Sequence, residues 1–167
     1  MDEAKITESI AGTRIHAVFN CLGSRVGRGK ELFIQIDKTF VVKSCEFAVK
    51  INAIFFGHVT SQGANKTSMF FYLKVKGECE EELFKTAMKH ISIYRPGFID
   101  DRENDKRCGE KMASFVPFIT KIKSNKLAEG IMKDAVQRMN KISNEQPEEG
   151  KEKRIYTNKE IIELANL

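Results

Sequence analysis

The sequence lacks the spacings that most metal and redox sites need. Cys21, Cys45, Cys79 and Cys108 form no Cys-x-x-Cys pair, and His16, His58 and His90 stand apart from any carboxylate or thiol at ligand spacing, so no metal site is expected. No signal-peptide pattern precedes the cysteines, which points to a reducing, cytoplasmic setting. Long apolar runs are missing too; the longest fall well short of the about 20 residues that span a bilayer. The 28 Lys and Arg are interleaved with 23 Asp and Glu, and no sustained basic run forms, so the net charge of +5 does not indicate nucleic-acid binding. A basic surface facing a protein partner remains compatible with this balance.

What is present is a chain of 167 residues, 41% of them hydrophobic. That is long enough for one domain, which at this size buries roughly 70% of its unfolded surface. Residues 15–21 are compact and apolar, ending at Leu22-Gly23-Ser24, and read as a buried strand running into a loop. The loop from Ser24 to Lys30 is small and basic. From Glu31 to Lys50, apolar residues including Leu32, Phe33, Ile36, Phe40 and Val41 recur at mixed three- and four-residue steps, which predicts a long amphipathic helix. Residues 53–60 form a second apolar run, ending at Ser61-Gln62-Gly63. Val75, Cys79, Leu83 and Ala87 then repeat at fours, predicting a second helix from the Tyr72 region to His90. A third strand at Ile91–Tyr94 is closed by Arg95-Pro96-Gly97.

Strand, helix, strand, helix, strand with long helices between is the pattern of a parallel sheet built from crossovers. The fold class expected is therefore α/β, with functional loops at the carboxyl ends of the strands: 22–30, 60–68 and 95–101. Beyond residue 101 a charged loop (100–107) leads to an apolar segment at Phe115–Ile122. Leu127, Ile131, Ala135, Met139 and Ile142 mark a further helix. Residues 143–153 read as a surface loop, Ile155-Tyr156 as a short extended piece, and Thr157-Asn-Lys-Glu160 as a capping box opening the final helix.

One constellation carries chemistry. Tyr72 and Lys76 lie four residues apart at the start of the second helix, on one face, and Ser61 ends the second apolar run. Carbonyl reduction needs a tyrosine that exchanges its proton near neutral pH, although a free phenol has a pKa of about 10. An ammonium one helical turn away favours the phenolate and can also reach ribose hydroxyls; the serine hydroxyl can hold a carbonyl oxygen. A Tyr-x-x-x-Lys pair by itself is common, and its bland counterpart is a surface helix with neighbouring side chains. The placement at a strand's carboxyl end gives it weight.

Four ordered segments share more than this triplet: Asn20-Cys-Leu-Gly-Ser24, Thr60-Ser-Gln-Gly-Ala-Asn-Lys-Thr-Ser68, Phe71-Tyr-Leu-Lys-Val-Lys-Gly-Glu78 and Tyr94-Arg-Pro-Gly97. In order and spacing they resemble the Tat-interacting-protein family of atypical short-chain dehydrogenase/reductases, from about Ile15 to about Ile142. The resemblance implies a Rossmann-like, NADP-binding oxidoreductase acting on a small carbonyl substrate, with Ser61, Tyr72 and Lys76 as catalytic residues. It also implies cofactor contacts at Leu22, Gly23 and Ser24, at Lys76, and at Pro96, Gly97 and Phe98. An interaction role, as a catalytically inactive relative that binds a protein partner, is the alternative it carries.

Folds of this kind open with a strand, a G-x-x-G-x-x-G turn and a helix that hold the cofactor pyrophosphate. No such segment occurs in the sequence, and Gly27-Arg28-Gly29 does not replace it. The chain is therefore expected to form a single incomplete domain over residues 1–167, with core strands and helices in 13–100 and a substrate-side region in 101–167. The fold expected is thus a truncated, partial Rossmann-like parallel sheet with C-terminal helices. Where the fourth strand of the doubly wound order would pair with the first, residues 15–21 become an apolar, unpaired edge, which invites homodimers.

Overall fold

The computed structural model describes residues 2–101, 119–144 and 152–167. The segment Phe115–Val116-Pro-Phe118, most of the charged loop, Cys108 and most of the 143–153 loop lie outside the described residues. A short helix α1 (Glu3–Ser9) precedes β1 (Ala17–Asn20). A helical stretch follows in three parts: α2 (Lys30–Ile34), a π turn (Gln35–Thr39) and α3 (Phe40–Lys50). Then come β2 (Phe55–Val59), α4 (Phe71–Lys85), β3 (His90–Arg95), the two-residue strands β4 (Phe98–Ile99) and β5 (Lys121–Ile122), α5 (Ser124–Asn144), β6 (Glu152–Thr157) and α6 (Asn158–Asn166).

Four strands form one sheet in the order β1-β2-β3-β6, every pair parallel. The expected α/β class and parallel sheet are present, and β1 is the sheet's edge among the described residues. Several details differ from the reading of the sequence. The long helix contains a π turn, in which the Phe40 amide bonds to the Gln35 carbonyl; the added residue accounts for the uneven apolar spacing there. Helix α4 stops at Lys85, so His90 belongs to β3 rather than to the helix. Ile155-Tyr156 is part of a full fourth strand in register with β3, not an isolated extended piece. Its side chains alternate weakly because it lies at the other border of the sheet, which hides the strand from a periodicity reading.

One face of the sheet packs on α3 and α4. Phe56, Ile91 and Ile93 meet Val41, Cys45, Ala48, Cys79 and Leu83 in a closed apolar cluster. The opposite face packs on α5 and α6 through Tyr94, Ile122, Leu127, Ile131 and Ile161. Within this second layer Asp134 of α5 is buried and accepts hydrogen bonds from Ser92 Oγ (2.6 Å), Tyr94 OH (2.7 Å) and Tyr156 OH, with Arg138 Nε at 3.3 Å. A buried carboxylate is costly unless its lone pairs are filled; here hydroxyls from β3 and β6 fill them, the Arg138 ion pair balances the charge, and the cluster ties β3 and β6 to α5. The capping box of α6 is formed as expected: Thr157 Oγ1 accepts from the Glu160 amide while the Glu160 carboxylate accepts from the Thr157 amide.

Gly77 shows how sequence sets a close approach. A Cβ at this position would lie 2.2 Å from the Lys66 amide nitrogen and 2.3 Å from the Asn65 carbonyl carbon. Only glycine lets the loop after β2 lie flat on α4. Replacing a helical glycine by alanine ordinarily gains up to about 1 kcal/mol, but overpacking against backbone costs typically about 1–3 kcal/mol. Gly77→Ala is therefore expected to lower stability in urea denaturation; an unchanged or raised midpoint would show that the loop yields freely.

Candidate functional site

Three segments meet at the carboxyl ends of β1, β2 and β3. After β2, the Thr60 amide donates to Tyr94 O (2.8 Å) and the Gln62 amide to Pro96 O (2.8 Å), so the ladder with β3 continues into the loops. Asn65 then organises a tight turn: its Oδ1 accepts from the amide and hydroxyl of Thr67, each at 2.9 Å, while its own amide donates to Leu73 O of α4 (3.0 Å). This turn, lying on Gly77, brings the buried Ser61 towards the face of α4 that carries Tyr72 and Lys76. Ser61 Oγ donates only a long bond, 3.2 Å, to the neighbouring Gln62 carbonyl. After β3, the Gly97 amide donates to Asn158 Oδ1 (2.7 Å), and a Cβ at Gly97 would sit 2.0 Å from Thr120 O.

Tyr72, half-buried, sets its ring against Phe33 with centroids 5.5 Å apart. Lys76, one turn on, is 4% exposed, and its Nζ lies 2.8 Å from Asp37 Oδ1, itself 1% exposed. Asp37 sits in the π turn and accepts at Oδ2 from the Ser24 amide (2.8 Å) and the Ser24 hydroxyl (2.6 Å). Burial presses the Lys76 ammonium towards its neutral form, but Tyr72 and the Asp37 carboxylate oppose this and hold its pKa above the ordinary lysine value. Behind the pair lies His58 of β2, fully buried, with Nδ1 3.1 Å from Asn20 O. Burial first, and then the charge of Lys76, depress its pKa to about 3, so it is neutral. Burial likewise raises the thiols, Cys45 to about 11 and Cys79 to about 12, so neither is an activated nucleophile.

Ser61, Tyr72 and Lys76 line one cavity of about 380 Å³ together with Leu22, Gly23, Ser24, Pro96, Gly97 and Phe98. The tertiary structure thus brings together every residue the sequence singled out. It adds Asp37 and Thr60, which the sequence reading passed over. Thr60 is 7% exposed and its Oγ1 has no hydrogen-bond partner among the described residues. A signal for Asp37 existed: it stands between Phe33 and Val41 at four-residue steps, an acid on the buried stripe of its helix. The cavity size suits a small organic ligand. The Thr60 hydroxyl and the ammonium donors of Lys76 fit a polar group such as a ribose hydroxyl.

A four-stranded parallel sheet flanked by helices, with a cavity at its carboxyl edge, is a Rossmann-like class of fold. No protein-family model matches the chain. It is 35% identical over 115 residues to "Protein HTATIP2" of Rattus norvegicus, covering 68% of this chain and 48% of that protein. It is 36% identical over 80 residues to "Protein FMP52, mitochondrial" of Saccharomyces cerevisiae, covering 47% and 31% respectively. The chain thus spans less than half the length of these relatives. UDP-glucose 4-epimerase of Thermotoga maritima, solved with UDP-glucose, shares the fold with a TM-score of 0.60 at 11% identity, over 93% of this chain and 59% of that one. The dTDP-4-dehydrorhamnose reductase of Bacillus anthracis, solved with NADP, does so with a TM-score of 0.55 at 10% identity, over 99% and 68%. The chain belongs to the atypical short-chain dehydrogenase/reductase family.

The expectation of a cytoplasmic protein is overturned by these relatives: the matching FMP52 proteins of Saccharomyces cerevisiae, Candida albicans and Aspergillus fumigatus are named mitochondrial. Cysteine spacing reports a reducing compartment and does not separate one such compartment from another. Among the described residues no helix is long and apolar enough to cross a membrane.

His58 yields a pH prediction. Its folded-state pKa of about 3 lies below the unfolded value of about 6.5, so between these limits the unfolded chain binds the extra proton. Stability is then fully present above about pH 6.5 and falls as pH drops towards 3, by on the order of 4 kcal/mol from this group. In urea titrations across this range, His58→Leu is expected to show a shallower acid loss than the wild type. Parallel profiles would refute the assignment.

Proposed function

We propose that this protein reduces a small carbonyl compound with a nicotinamide dinucleotide, NADP in its reduced form, using Ser61, Tyr72 and Lys76. The observation that carries this reading is the convergence of Ser61 from the β2 loop with Tyr72 and Lys76 from α4 around one cavity at the carboxyl edge of a parallel sheet. A reduced nicotinamide, when bound, supplies the hydride. Ser61 donates its hydroxyl hydrogen to the substrate oxygen; its present bond of 3.2 Å is weak enough to exchange. Tyr72 transfers its phenolic proton to that oxygen, and the ammonium of Lys76 favours the phenolate left behind. Leu22, Gly23, Ser24, Lys76, Pro96, Gly97 and Phe98, which line this cavity, would hold the cofactor.

A second reading, a non-catalytic relative that associates through β1, has one observation in its favour: Phe19 on this edge strand is 37% exposed. Two measurements separate the readings. Fluorescence titration with NADPH is expected to saturate for the wild type below millimolar cofactor and to weaken in Lys76→Ala. Tyr72→Phe should bind NADPH normally while reducing a carbonyl panel roughly 10²–10⁴-fold more slowly. No saturable binding would sink the reductase. Light scattering is expected to reveal dimers or larger species if β1 pairs with a second copy; a monodisperse monomer would count against the edge association.

A further inference from the structure

The buried carboxylate of Asp37 has no part in the proton transfer described above, yet it contacts two of the segments that line the cavity. Its Oδ1 takes Lys76 Nζ at 2.8 Å, and its Oδ2 takes both donors of Ser24. An ammonium has three N–H donors. The 2.8 Å ion pair holds the ammonium against Asp37 and leaves donors for further partners, with Lys76 only 4% exposed. The π turn that carries Asp37 lies on the helical stretch, opposite α4. Such turns recur where a helix must aim a side chain at a functional site.

We propose that Asp37 is a positioning residue of this site: it holds the Lys76 ammonium and the Ser24 loop in fixed relation, keeping the remaining lysine donors for Tyr72 and a ribose hydroxyl. The proposal rests on the reductase reading and adds to it a residue outside the Ser, Tyr and Lys set. The charged and titratable groups facing Lys76 are Tyr72 and Cys79 on its own helix, Asp37 on the π turn and His58 on β2. Cys79 and His58 are neutral near pH 7 because burial disfavours their charged forms. Asp37, with Oδ1 2.8 Å from Nζ, is the carboxylate in ion-pair contact with the buried lysine and, after Tyr72, favours its charged form.

The test combines a binding cycle with a lysine titration. Asp37→Asn retains an acceptor for Ser24 but loses the charge, and is expected to weaken NADPH binding about tenfold. If Asp37 acts through Lys76, the double variant Asp37→Asn/Lys76→Met binds NADPH no worse than Lys76→Met alone; additive losses would overturn the positioning role. The double variant also removes both buried charges, so it stays folded where a lone unpaired lysine could unfold the chain. In nitrogen NMR of the lysine side chains, Lys76 is expected to deprotonate about one pH unit or more lower in Asp37→Asn than in the wild type. An unshifted Lys76 titration overturns the proposal, whatever the cofactor result. A wild type that fails to bind NADPH but shows the Lys76 shift would sink the reductase reading and leave the pairing intact.

Discussion

The ion pair between Asp37 and Lys76 is the joint on which the site depends. It links the π turn, α4 and the loop after β1 through one buried ion pair and two hydrogen bonds from Ser24. Other ion pairs, such as Lys126 with Glu129 or Lys50 with Glu3, lie on the surface, where solvent and salt screen them. A buried pair is different in kind. Its net gain over an apolar pair is small, but removing one partner costs about 3–5 kcal/mol because a charge is left stranded. The constraint is thus on geometry more than on stability: neither residue can move without the other.

Around this joint, the two layers of the sheet divide the labour. The face towards α3 and α4 is almost wholly apolar and supplies the burial that drives folding. The face towards α5 and α6 contains the Asp134 cluster, in which hydroxyls of Ser92, Tyr94 and Tyr156 surround one carboxylate. Tyr94 is pushed far above the ordinary phenol range, by burial first and then by the adjacent Asp134 charge, so it stays protonated and keeps its bond. Its backbone carbonyl in turn accepts from Thr60, one residue before Ser61. Packing beneath the sheet is in this way transmitted to the position of the site loop.

Much of this was legible from the chain. The alternation of apolar runs with periodic helices disclosed the parallel sheet, because a strand buried on both faces must read as a continuous apolar segment. The triplet and the four ordered segments pointed to the loops that line the cavity. The fourth strand was not legible, since Glu152, Arg154 and Ile155 at a border position do not alternate as a buried strand does. Asp37 escaped for another reason: helical periodicity identifies which side is apolar, and an acid on that side is informative only once its partner across space is known.

Local chemistry determined, from sequence alone, that helices open near Tyr72 and after Thr157, the capping box at Thr157, and the spacing of Tyr72 and Lys76 on one helical face, since these depend on neighbours within a turn or two. Tertiary structure decided that Ser61 joins them, that Asp37 holds the lysine, and that Gly23 and Gly97 from distant loops wall the same cavity. These are contacts between residues far apart in the chain, and they exist only because the parallel sheet places the carboxyl ends of its strands side by side.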